Sequence, residues 1–401
     1  MDLHSNHPYW LMRHGIKYVY PSLRNDLRDE IVIIGGGITG ALIAYHLCKA
    51  GFSVTIIEKR HAGFGSTGAS TALLQYEIDT PLHELINKVG ESNAVRSYEL
   101  CIESIRMLKK ITGSLRVDTG FSEIPSLQFA SFPSHRKALE KEFSAREKFG
   151  IGHLKWLEST ELHRLFGITA PCGILSREGA TVDAYALTHA LLQRSIKMGA
   201  KMYDSTNIVE IQHGKKQIAL TTSGGNTITT KHLVIACGYE SQKYLTRQVE
   251  IPNSTYAIVS EPFENGNFWY KNAMIWETAD PYLYLRKTDD NRILIGGKDD
   301  EFYNPAKRDA KLPKKAVALH QAFGKLFPGI DFRTDFCWAG YFCKTKDGLP
   351  YIGSVKQRPN TYFALGFGGN GITFSVIAAS MLTQLLSGKK NKDLSIFSFE
   401  R

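Results

Sequence analysis

A cluster of glycines followed by an acidic residue is the part of the sequence whose spacing most clearly predicts chemistry. Gly35, Gly37 and Gly40 form the pattern Gly-x-Gly-x-x-Gly, and Glu58 lies 18 residues after Gly40. In such a turn the first glycine permits a tight bend, the second lets the backbone approach a pyrophosphate, and the third lets a helix lie close to the preceding strand. A carboxylate at this distance is spaced to bind a ribose hydroxyl, and it disfavours the 2′-phosphate of NADP. The segment therefore predicts a dinucleotide site.

The residues around these glycines predict the elements that would position the site. Residues 31–34 are a short, apolar, β-branched run, as in a buried parallel strand. Residues 41–50 are typical of a helix that Gly51 ends, and 53–57 are typical of a second strand that ends at Glu58. The N-terminus of the helix would face the phosphates with free N–H groups and the positive end of its dipole.

The composition is that of a globular protein with enough chain for two domains. The sequence has 401 residues, of which 43% are hydrophobic and 22% are charged. The formal net charge is +10, but Lys and Arg are scattered in pairs such as Lys109-Lys110 rather than clustered with aromatic residues. This distribution argues against nucleic acid as a partner and fits a preference for anionic small molecules.

Cysteine usage and the apolar segments predict a protein of a reducing compartment without a membrane span. The six cysteines include no C-x-x-C pair, and no histidine spacing completes a zinc site. The uncharged windows 31–48 and 361–388 contain glycine clusters that would interrupt a spanning helix, and residues 1–28 lack a secretory signal pattern. We therefore expect a cytoplasmic protein that binds no metal ion.

The rest of the sequence predicts a second, different sheet. Residues 232–236 form another buried strand followed by Cys237-Gly238, which is either a place for a cofactor to lie or a plain strand-to-loop transition. From 256 to 297 short alternating runs are separated by turns, among them a hairpin turn at 289–291, which predicts an antiparallel sheet. The expected division is an N-terminal extension at 1–27, a cofactor-binding domain at 28–90, 172–245 and 334–401, and a substrate domain at 91–171 and 246–333.

Five segments occur in an order that is unexpected by chance. They are 35–58; the loop 65–71 (Gly-Ser-Thr-Gly-Ala-Ser-Thr); 179–183 (Gly-Ala-Thr-Val-Asp) with Ile208 and 236–238; 284–286 (Tyr-Leu-Arg) with 294–297 (Leu-Ile-Gly-Gly); and 338–340 (Trp-Ala-Gly) with 345–353 and 366–373. Over about residues 28–388 the chain resembles the D-amino-acid oxidase-like family of FAD-dependent amine and amino-acid oxidoreductases. Tyr9-Trp10 in the N-terminal extension resembles the γ-glutamylputrescine oxidase-like branch of that family.

The resemblance implies an α/β fold with a Rossmann-like FAD-binding domain of discontinuous segments and an α+β substrate domain whose sheet is mostly antiparallel. In such enzymes the loop after residue 65 leads the chain past the FAD pyrophosphate, and the backbone N–H groups of 366–371 can point at the flavin; the alternative is a glycine-rich helix start without a ligand. The expected FAD contacts are Gly35, Gly37, Ile38, Thr39, Gly40, Glu58, Lys59, Gly65, Ser66, Thr67, Ser70, Thr71, Ala72, Leu73, Ile208, Ala236, Cys237, Gly238, Gly340, Gly368, Gly369, Asn370, Gly371, Ile372 and Thr373.

The chain also departs from this family in ways that bear on the substrate and the flavin. Glycine oxidases hold the substrate carboxylate with two arginines, which would fall at Phe342 and Gly369. The cysteine that attaches the flavin in sarcosine oxidases would fall at Gly340. We therefore expect non-covalent FAD, with a thioether at the nearby Cys343 as the alternative, and a substrate that is not clamped as glycine is.

The resemblance implies that the flavin carries the redox chemistry while the protein orients the substrate. The expected reaction is hydride transfer to flavin N5 from a carbon bearing nitrogen, giving an imine, with oxygen or another compound as the final electron acceptor. The candidate catalytic and substrate contacts are Arg286, which could pair with a carboxylate, the hydroxyl groups of Tyr284 and Tyr256, and Lys344, which could hold a water near the flavin.

Each of these candidates also has a structural alternative. Arg286 could form an ion pair with Asp280, Asp289 or Glu277, the two tyrosines could simply pack in the core, and Lys344 could be an exposed surface residue. Two further functions fit the same sequence. One is a flavin dehydrogenase of a 2-hydroxy acid or a glycerol-3-phosphate-like substrate, and the other is a non-catalytic dinucleotide-binding regulatory protein. The resemblance favours oxidation of the C–N bond of an amino acid or related amine.

Overall fold

The computed structural model describes residues 1–5 and 7–401, and within them it contains two sheets of eight strands and one of three strands. The α-helices are α1 (Tyr9–His14), α2 (Ile38–Lys49), α3 (Ser66–Ala69), α4 (Leu82–Val89), α5 (Glu91–Leu115), α6 (Arg136–Lys148), α7 (Ser159–Phe166), α8 (Ala184–Lys197), α9 (Pro305–Leu326) and α10 (Gly371–Leu386). The strands are β1 (Leu27–Ile34), β2 (Val54–Ile57), β3 (Leu73–Leu74), β4 (Ser122–Glu123), β5 (Ser126–Phe129), β6 (Leu154–Glu158), β7 (Cys172–Ser176), β8 (Ala180–Thr181), β9 (Lys201–Tyr203), β10 (Ile208–His213), β11 (Ile218–Thr222), β12 (Thr227–Ile235), β13 (Ile251–Ser260), β14 (Met274–Glu277), β15 (Tyr284–Lys287), β16 (Ile293–Asp300), β17 (Thr334–Lys344), β18 (Tyr351–Ser354) and β19 (Thr361–Leu365).

The first large sheet is built around the βαβ unit that the glycine motif predicts. β1 lies between β12 and β2, with β9 beyond β2 and β19 beside the end of β12, and these five strands run parallel. Ile31 and Ile33 face the core formed with α2, α8 and α10, whereas Val32 and Ile34 face a second core on the opposite side. Burial on both faces explains why 31–34 is apolar throughout instead of alternating.

The second large sheet has the order β17-β13-β16-β15-β14-β5-β7-β6. Its pairs are antiparallel except for the parallel pair β5 and β14. Helix α9 packs across β13, β16 and β17 on one face. The predicted fold class, a Rossmann-like domain beside an α+β domain with a mostly antiparallel sheet, is confirmed.

Local residues determine the hairpin between β15 and β16 and the start of α9. The hairpin predicted at 289–291 joins β15 to β16, and Asn291 there has φ +59°. Helix α9 begins at Pro305, because proline is compatible with the first helical turn and the side chain of Asn304 accepts the N–H of Lys307 as a cap. Pro313 lies inside this helix and did not mark its start.

The two large sheets do not follow the predicted domain boundaries. β7 and β17 belong to the second sheet although 172–245 and 334–401 are predicted as cofactor-binding segments. Helix α5, in the predicted substrate segment 91–171, packs against α10 of the first core. The strands β7 and β17 are placed by pairing with distant strands, and α5 is placed by packing against a distant helix. No local sequence pattern reports either kind of contact.

The N-terminal extension lies on the outer strand of the second sheet. His4 forms an isolated β-bridge with Gly340 of β17. Tyr9 and Trp10 in α1 are each 1% exposed, and the indole N–H of Trp10 donates to the carbonyl oxygen of Ser70 at 2.7 Å. The extension therefore supports the loop 65–73 from outside, a role that its sequence alone did not indicate.

Neither disulfide bonds nor a membrane-spanning helix occur among the described residues. All six cysteines have free thiols. Within the described residues, none of the helices combines the length and the apolar character needed to cross a bilayer.

Candidate active site

The turn between β1 and α2 leaves no space for side chains at two of its glycines. Gly35 has φ +119°, in the region that favours glycine, and a Cβ there would overlap the carbonyl oxygen of Ala236 at the end of β12. A Cβ on Gly40 would overlap the carbonyl oxygen of Gly35. Gly37 precedes the first turn of α2 and lines the cleft beside it. The turn therefore has the tight bend and the close helix contact that hold a pyrophosphate against backbone N–H groups.

A cleft of about 1050 Å³, which we call the cofactor cleft, opens at the carboxyl ends of the parallel strands. Open α/β sheets bind nucleotides at this edge. The predicted contacts that line it are Gly35, Gly37, Ile38, Thr39, Glu58, Lys59, Gly65, Ser66, Thr67, Ser70, Ile208, Ala236, Cys237, Gly238, Gly371 and Ile372. The lining residues that the sequence reasoning missed include Leu3, Arg60, Thr206, Asn207, Tyr239, Glu240, Lys243, Tyr244, Gly366 and Phe367.

Glu58 lies at the end of β2, where the sequence predicts a ribose contact. Its Oε2 accepts the N–H of Gly36 at 2.8 Å, and its Oε1 accepts the N–H of Arg60 at 2.9 Å. These two amides fix the orientation of the carboxylate and leave lone pairs on both oxygens for ribose hydroxyls. Lys59 and Arg60 beside it both form ion pairs with Glu240, which balances the charge of this wall of the cleft.

The loop 65–73 forms one wall of the cleft and is attached on two sides. The hydroxyl oxygen of Thr67 accepts the N–H of Ile38 at 2.9 Å and so joins the loop to the first turn of α2. The indole N–H of Trp338 donates to the carbonyl oxygen of Ala69 at 2.9 Å and joins it to β17. The loop is thereby held between the two large sheets.

The N-terminus of α10 opens on the same region. Gly371 and Ile372 begin this helix and line the cleft, and the first N–H groups of a helix have no partner within it. Asn370 and Thr373, two of the predicted FAD contacts, line none of the cavities described here. Both side chains donate to the carbonyl oxygen of Gln75, each at 3.1 Å, and so position the helix start.

A second cavity of about 900 Å³, which we call the inner pocket, adjoins the cofactor cleft. The two share the lining residues Ser66, Ser70, Tyr239, Gly371 and Ile372. Other predicted FAD contacts in the inner pocket are Thr71, Ala72, Leu73, Gly340, Gly368 and Gly369. Its aromatic lining residues are Tyr239, Tyr256, Tyr282, Tyr284, Trp338, Tyr341 and Phe342. A pocket that combines aromatic side chains with polar groups beside a nucleotide cleft is typical of a small-molecule site.

The two positions where the resemblance would place carboxylate-binding arginines offer no positive charge. Phe342 lines the inner pocket. A Cβ on Gly369 would lie 2.8 Å from Oδ1 of Asp79 and 3.0 Å from the hydroxyl of Tyr282, so an acid and a tyrosine fill the space that an arginine would enter. Oδ2 of Asp79 accepts the N–H of Gly369 at 2.9 Å. None of the described residues that line the inner pocket is Lys or Arg.

The two predicted tyrosines lie on β15 and β13 and differ in what their hydroxyl groups contact. Tyr284 lines the inner pocket, with its hydroxyl 3.4 Å from the hydroxyl of Thr255, and its ring occupies the space above Gly296. Tyr256 also borders the pocket, but its hydroxyl donates to Asp300 at 2.9 Å on the side of the sheet that α9 covers. Because side chains alternate along a strand, it is the neighbouring Thr255 that faces the pocket.

Lys344 and Arg286 lie outside the inner pocket. Lys344 lines a separate cavity of about 1470 Å³, the outer basin, which borders the inner pocket at Tyr282 and Gly368. Arg286 is 2% exposed and lines neither the cleft nor the pocket, and its guanidinium donates to the carbonyl oxygen of Val182 at 3.2 Å. The ring of Trp10 lies against it, with 5.3 Å between the guanidinium carbon and the ring centroid, so Arg286 contacts the N-terminal extension.

A buried acid that the sequence did not mark lies behind the cofactor cleft. Glu250 is 3% exposed, and its Oε1 accepts the N–H of Gly366, which lines the cleft, at 2.9 Å. Among the residues that the structure describes, its Oε2 has no hydrogen-bond partner. Burial raises the pKa of Glu250 to about 8, so this side chain is mostly neutral at pH 7.

Cys343, the alternative position for a flavin link, is not on the surface of the cleft or of the inner pocket. It is 1% exposed, and its thiol donates to the hydroxyl of Tyr341 at 3.2 Å. Burial raises the pKa of this thiol far above its usual range, which disfavours the thiolate that a covalent link would need.

The chain matches one family model and is similar to several known proteins. The family model described as "DAO: FAD dependent oxidoreductase" matches residues 30–385. A glycine oxidase of Bacillus licheniformis is 26% identical over 390 residues, covering 93% of this chain and 98% of the relative. A gamma-glutamylputrescine oxidoreductase of Escherichia coli (strain K12) is 23% identical, covering 92% of this chain and 86% of the relative. The crystal structure of a glycine oxidase from Geobacillus kaustophilus superposes with a TM-score of 0.79 at 22% identity, covering 94% and 99% of the two chains.

Proposed function

The chain belongs to the DAO family of FAD-dependent oxidoreductases, and on that basis we propose that it oxidises the C–N bond of an amine or amino acid. Bound FAD would accept a hydride from the carbon that bears nitrogen, and the amine would lose one proton to become an imine that water hydrolyses. Oxygen or another acceptor would then remove the two electrons. The observation that carries the proposal is the junction of the cofactor cleft with the inner pocket.

The residues present fit FAD along the whole cleft. The side-chain-free positions Gly35 and Gly40 form the cradle for the pyrophosphate, and Glu58 has free lone pairs for the ribose. The helix start at Gly371 would hold the flavin end beside the inner pocket. We propose that these residues hold the cofactor and that the aromatic walls of the inner pocket orient the substrate while excluding water.

We propose further that the FAD is not covalently attached. Gly340 stands where the resemblance would require a cysteine, and the Cys343 thiol is buried away from both cavities. After acid precipitation of the purified protein, we expect the yellow colour in the supernatant. Colour that stays with the precipitated chain would show a covalent bond instead.

The proposed reaction can be tested on the FAD-bound protein without knowledge of its substrate. Under anaerobic conditions, amines or amino acids that are oxidised should bleach the visible band of the flavin. We expect bleaching by at least one class among primary amines, secondary amines and amino acids. Bleaching by 2-hydroxy acids or glycerol 3-phosphate alone would contradict the proposal and favour a dehydrogenase of hydroxyl compounds. A flavin that dithionite reduces but none of these compounds reduces would contradict it as well.

A further inference from the structure

A bulge in β16 turns one acidic side chain toward the inner pocket. Along β13, Ser254 pairs with Asp300 and Tyr256 pairs with Gly297. An advance of two residues on β13 therefore lies opposite an advance of three residues on β16. The extra residue is accommodated by Lys298, which has φ +58° although it is not glycine. Non-glycine residues with such a φ are uncommon and occur often at functional sites.

The bulge exchanges the faces of two neighbouring acids. In a regular strand Asp299 would share a face with Gly297, on the side covered by α9. Instead Asp300 lies on that side, where it forms ion pairs with Lys311 and Lys315 of α9, each at 3.0 Å. Asp299 lies on the opposite side and lines the inner pocket.

Asp299 carries a charge that no ion pair balances within the described residues. Its Oδ1 is completely enclosed and has no hydrogen-bond partner, and no ion pair of Asp299 occurs within 4.0 Å among residues 1–5 and 7–401. Burial raises the pKa of Asp299 to about 6, and the Thr255 hydroxyl together with the more distant Lys344 and Lys315 only partly opposes this effect. An enclosed carboxylate of this kind costs free energy unless a cation or a donor joins it.

The surroundings of Asp299 also favour a cation over an anion. The rings of Tyr282 and Tyr284 lie with their centroids 5.8 Å apart beside it in the pocket wall, and aromatic faces attract ammonium groups. Asp79 adds a second acid behind Gly369, at the position where an arginine would have bound a carboxylate. The pocket thus has the opposite charge to the one that the net charge of the chain suggested.

We propose that the inner pocket binds an amine substrate with a second positive charge, and that Asp299 receives this second ammonium group in the aromatic wall formed with Tyr282 and Tyr284. The inference rests on the proposed amine oxidation. Asp299 is assigned to the non-reacting nitrogen because the reacting amine must be neutral, and an adjacent carboxylate would keep it protonated. The substrate class is therefore a diamine or a longer polyamine, not an amino acid held by its carboxylate.

Three compounds that each have a four-carbon chain test this assignment on the FAD-bound protein. They are 1-aminobutane, 1,4-diaminobutane and 4-aminobutanoate, which differ only in an uncharged, positive or negative distal group. Binding is measured by perturbation of the visible flavin band, and oxidation by the rate of anaerobic bleaching, with the series repeated for chains of three to six carbons. At the best length we expect the diamine to bind about 10- to 100-fold more tightly than the monoamine, and the aminocarboxylate to bind least.

Two isosteric variants separate the pocket acid from its neighbour. Asp299→Asn should bring the diamine-to-monoamine affinity ratio to near one, a fall of about 10- to 100-fold. Asp300→Asn removes the same charge from the same bulge on the α9 side and should leave the ratio unchanged. If Asp299→Asn does not fold, the ratio measured on the unaltered protein still decides the question.

The outcomes are distinct from those that test the reaction itself. Equal binding and bleaching by monoamine and diamine, or a preference for the aminocarboxylate or free amino acids, would overturn the inference while amine oxidation stands. If Asp299→Asn slows bleaching by all amines equally, Asp299 acts on the reacting nitrogen and the assignment is overturned. A flavin that no amine and no amino acid bleaches would remove the proposed reaction, and the inference with it.

Discussion

Replacing Gly40 by alanine should abolish FAD binding. The new Cβ would overlap the carbonyl oxygen of Gly35, and its next neighbours are the carbonyl carbon of Gly35 at 3.0 Å and Cγ2 of Ile33 at 3.5 Å. The carbonyl oxygen and carbon of Gly35 are backbone atoms of a turn whose geometry is fixed, because Gly35 has φ +119° and contacts the end of β12. Helix α2 would have to move away from β1, and its N–H groups would leave the pyrophosphate position. We expect a cost of about 3 kcal/mol or more to the folded state and at least a 100-fold weaker affinity, on the order of the loss of two good hydrogen bonds.

The measurement is the ratio of visible to ultraviolet absorbance of the purified protein, followed by titration of the stripped protein with FAD. Gly113→Ala is the matched control, because Gly113 lies near the end of α5 with nothing within 4 Å of an added Cβ. There the same substitution should raise the free energy of unfolding by about 0.5–1 kcal/mol, since alanine is the better helix former. Normal FAD content in Gly40→Ala would mean that the close contact between α2 and β1 is not needed for the site.

The glycine turn could be predicted because its chemistry is local. The bend at Gly35, the helix contact at Gly40 and the carboxylate of Glu58 all follow from residues within one βαβ unit. The hairpin at 289–291, which joins β15 to β16, is local in the same sense. The family resemblance extended this reasoning to the loop 65–73 and to the start of α10, most of whose predicted contacts line the two cavities.

The composition of the inner pocket could not be predicted because it depends on contacts between distant segments. Arg286 and Tyr284 share one face of β15, but Trp10, from the N-terminal extension, covers only the arginine. Asp299 reaches the pocket only because the pairing of β13 with β16 contains a bulge. A two-residue alternation read from the sequence would have placed Asp299 beside α9 and Asp300 in the pocket. The net charge did not predict the acidic residue in this pocket, since it averages over the whole surface.

Replacing Glu250 by glutamine should stabilise the protein, and the gain should grow with pH. An unfolded glutamate ionises near pH 4.3, whereas burial raises the pKa of Glu250 to about 8 in the folded protein. The folded state therefore holds a proton that the unfolded state releases, so stability from this group is present below about pH 4.3 and is lost as the pH rises toward 8. Between pH 6 and pH 8 this loss amounts to about 2–3 kcal/mol, from 1.36 kcal/mol per pKa unit. Glutamine has no proton to lose and can still accept the N–H of Gly366.

Urea unfolding of Glu250→Gln and of the unaltered protein at pH 6 and pH 8, with the same excess of FAD, measures the difference. We expect the variant to be more stable at both values and by about 2–3 kcal/mol more at pH 8. Asp29→Asn is the control, because Asp29 is 9% exposed and accepts hydrogen bonds from Thr55 and from the N–H of Glu30. Burial alone would raise the pKa of Asp29, but these hydrogen bonds outweigh burial and lower the pKa. Asp29 is therefore ionised in the folded and the unfolded state between pH 6 and pH 8. Its replacement should change the free energy of unfolding by the same amount at both pH values. A gain from Glu250→Gln that does not change with pH would mean that Glu250 is ionised in the folded protein. A hydrogen-bond donor of the bound FAD would then have to lie within reach of Oε2, which has no partner among the described residues.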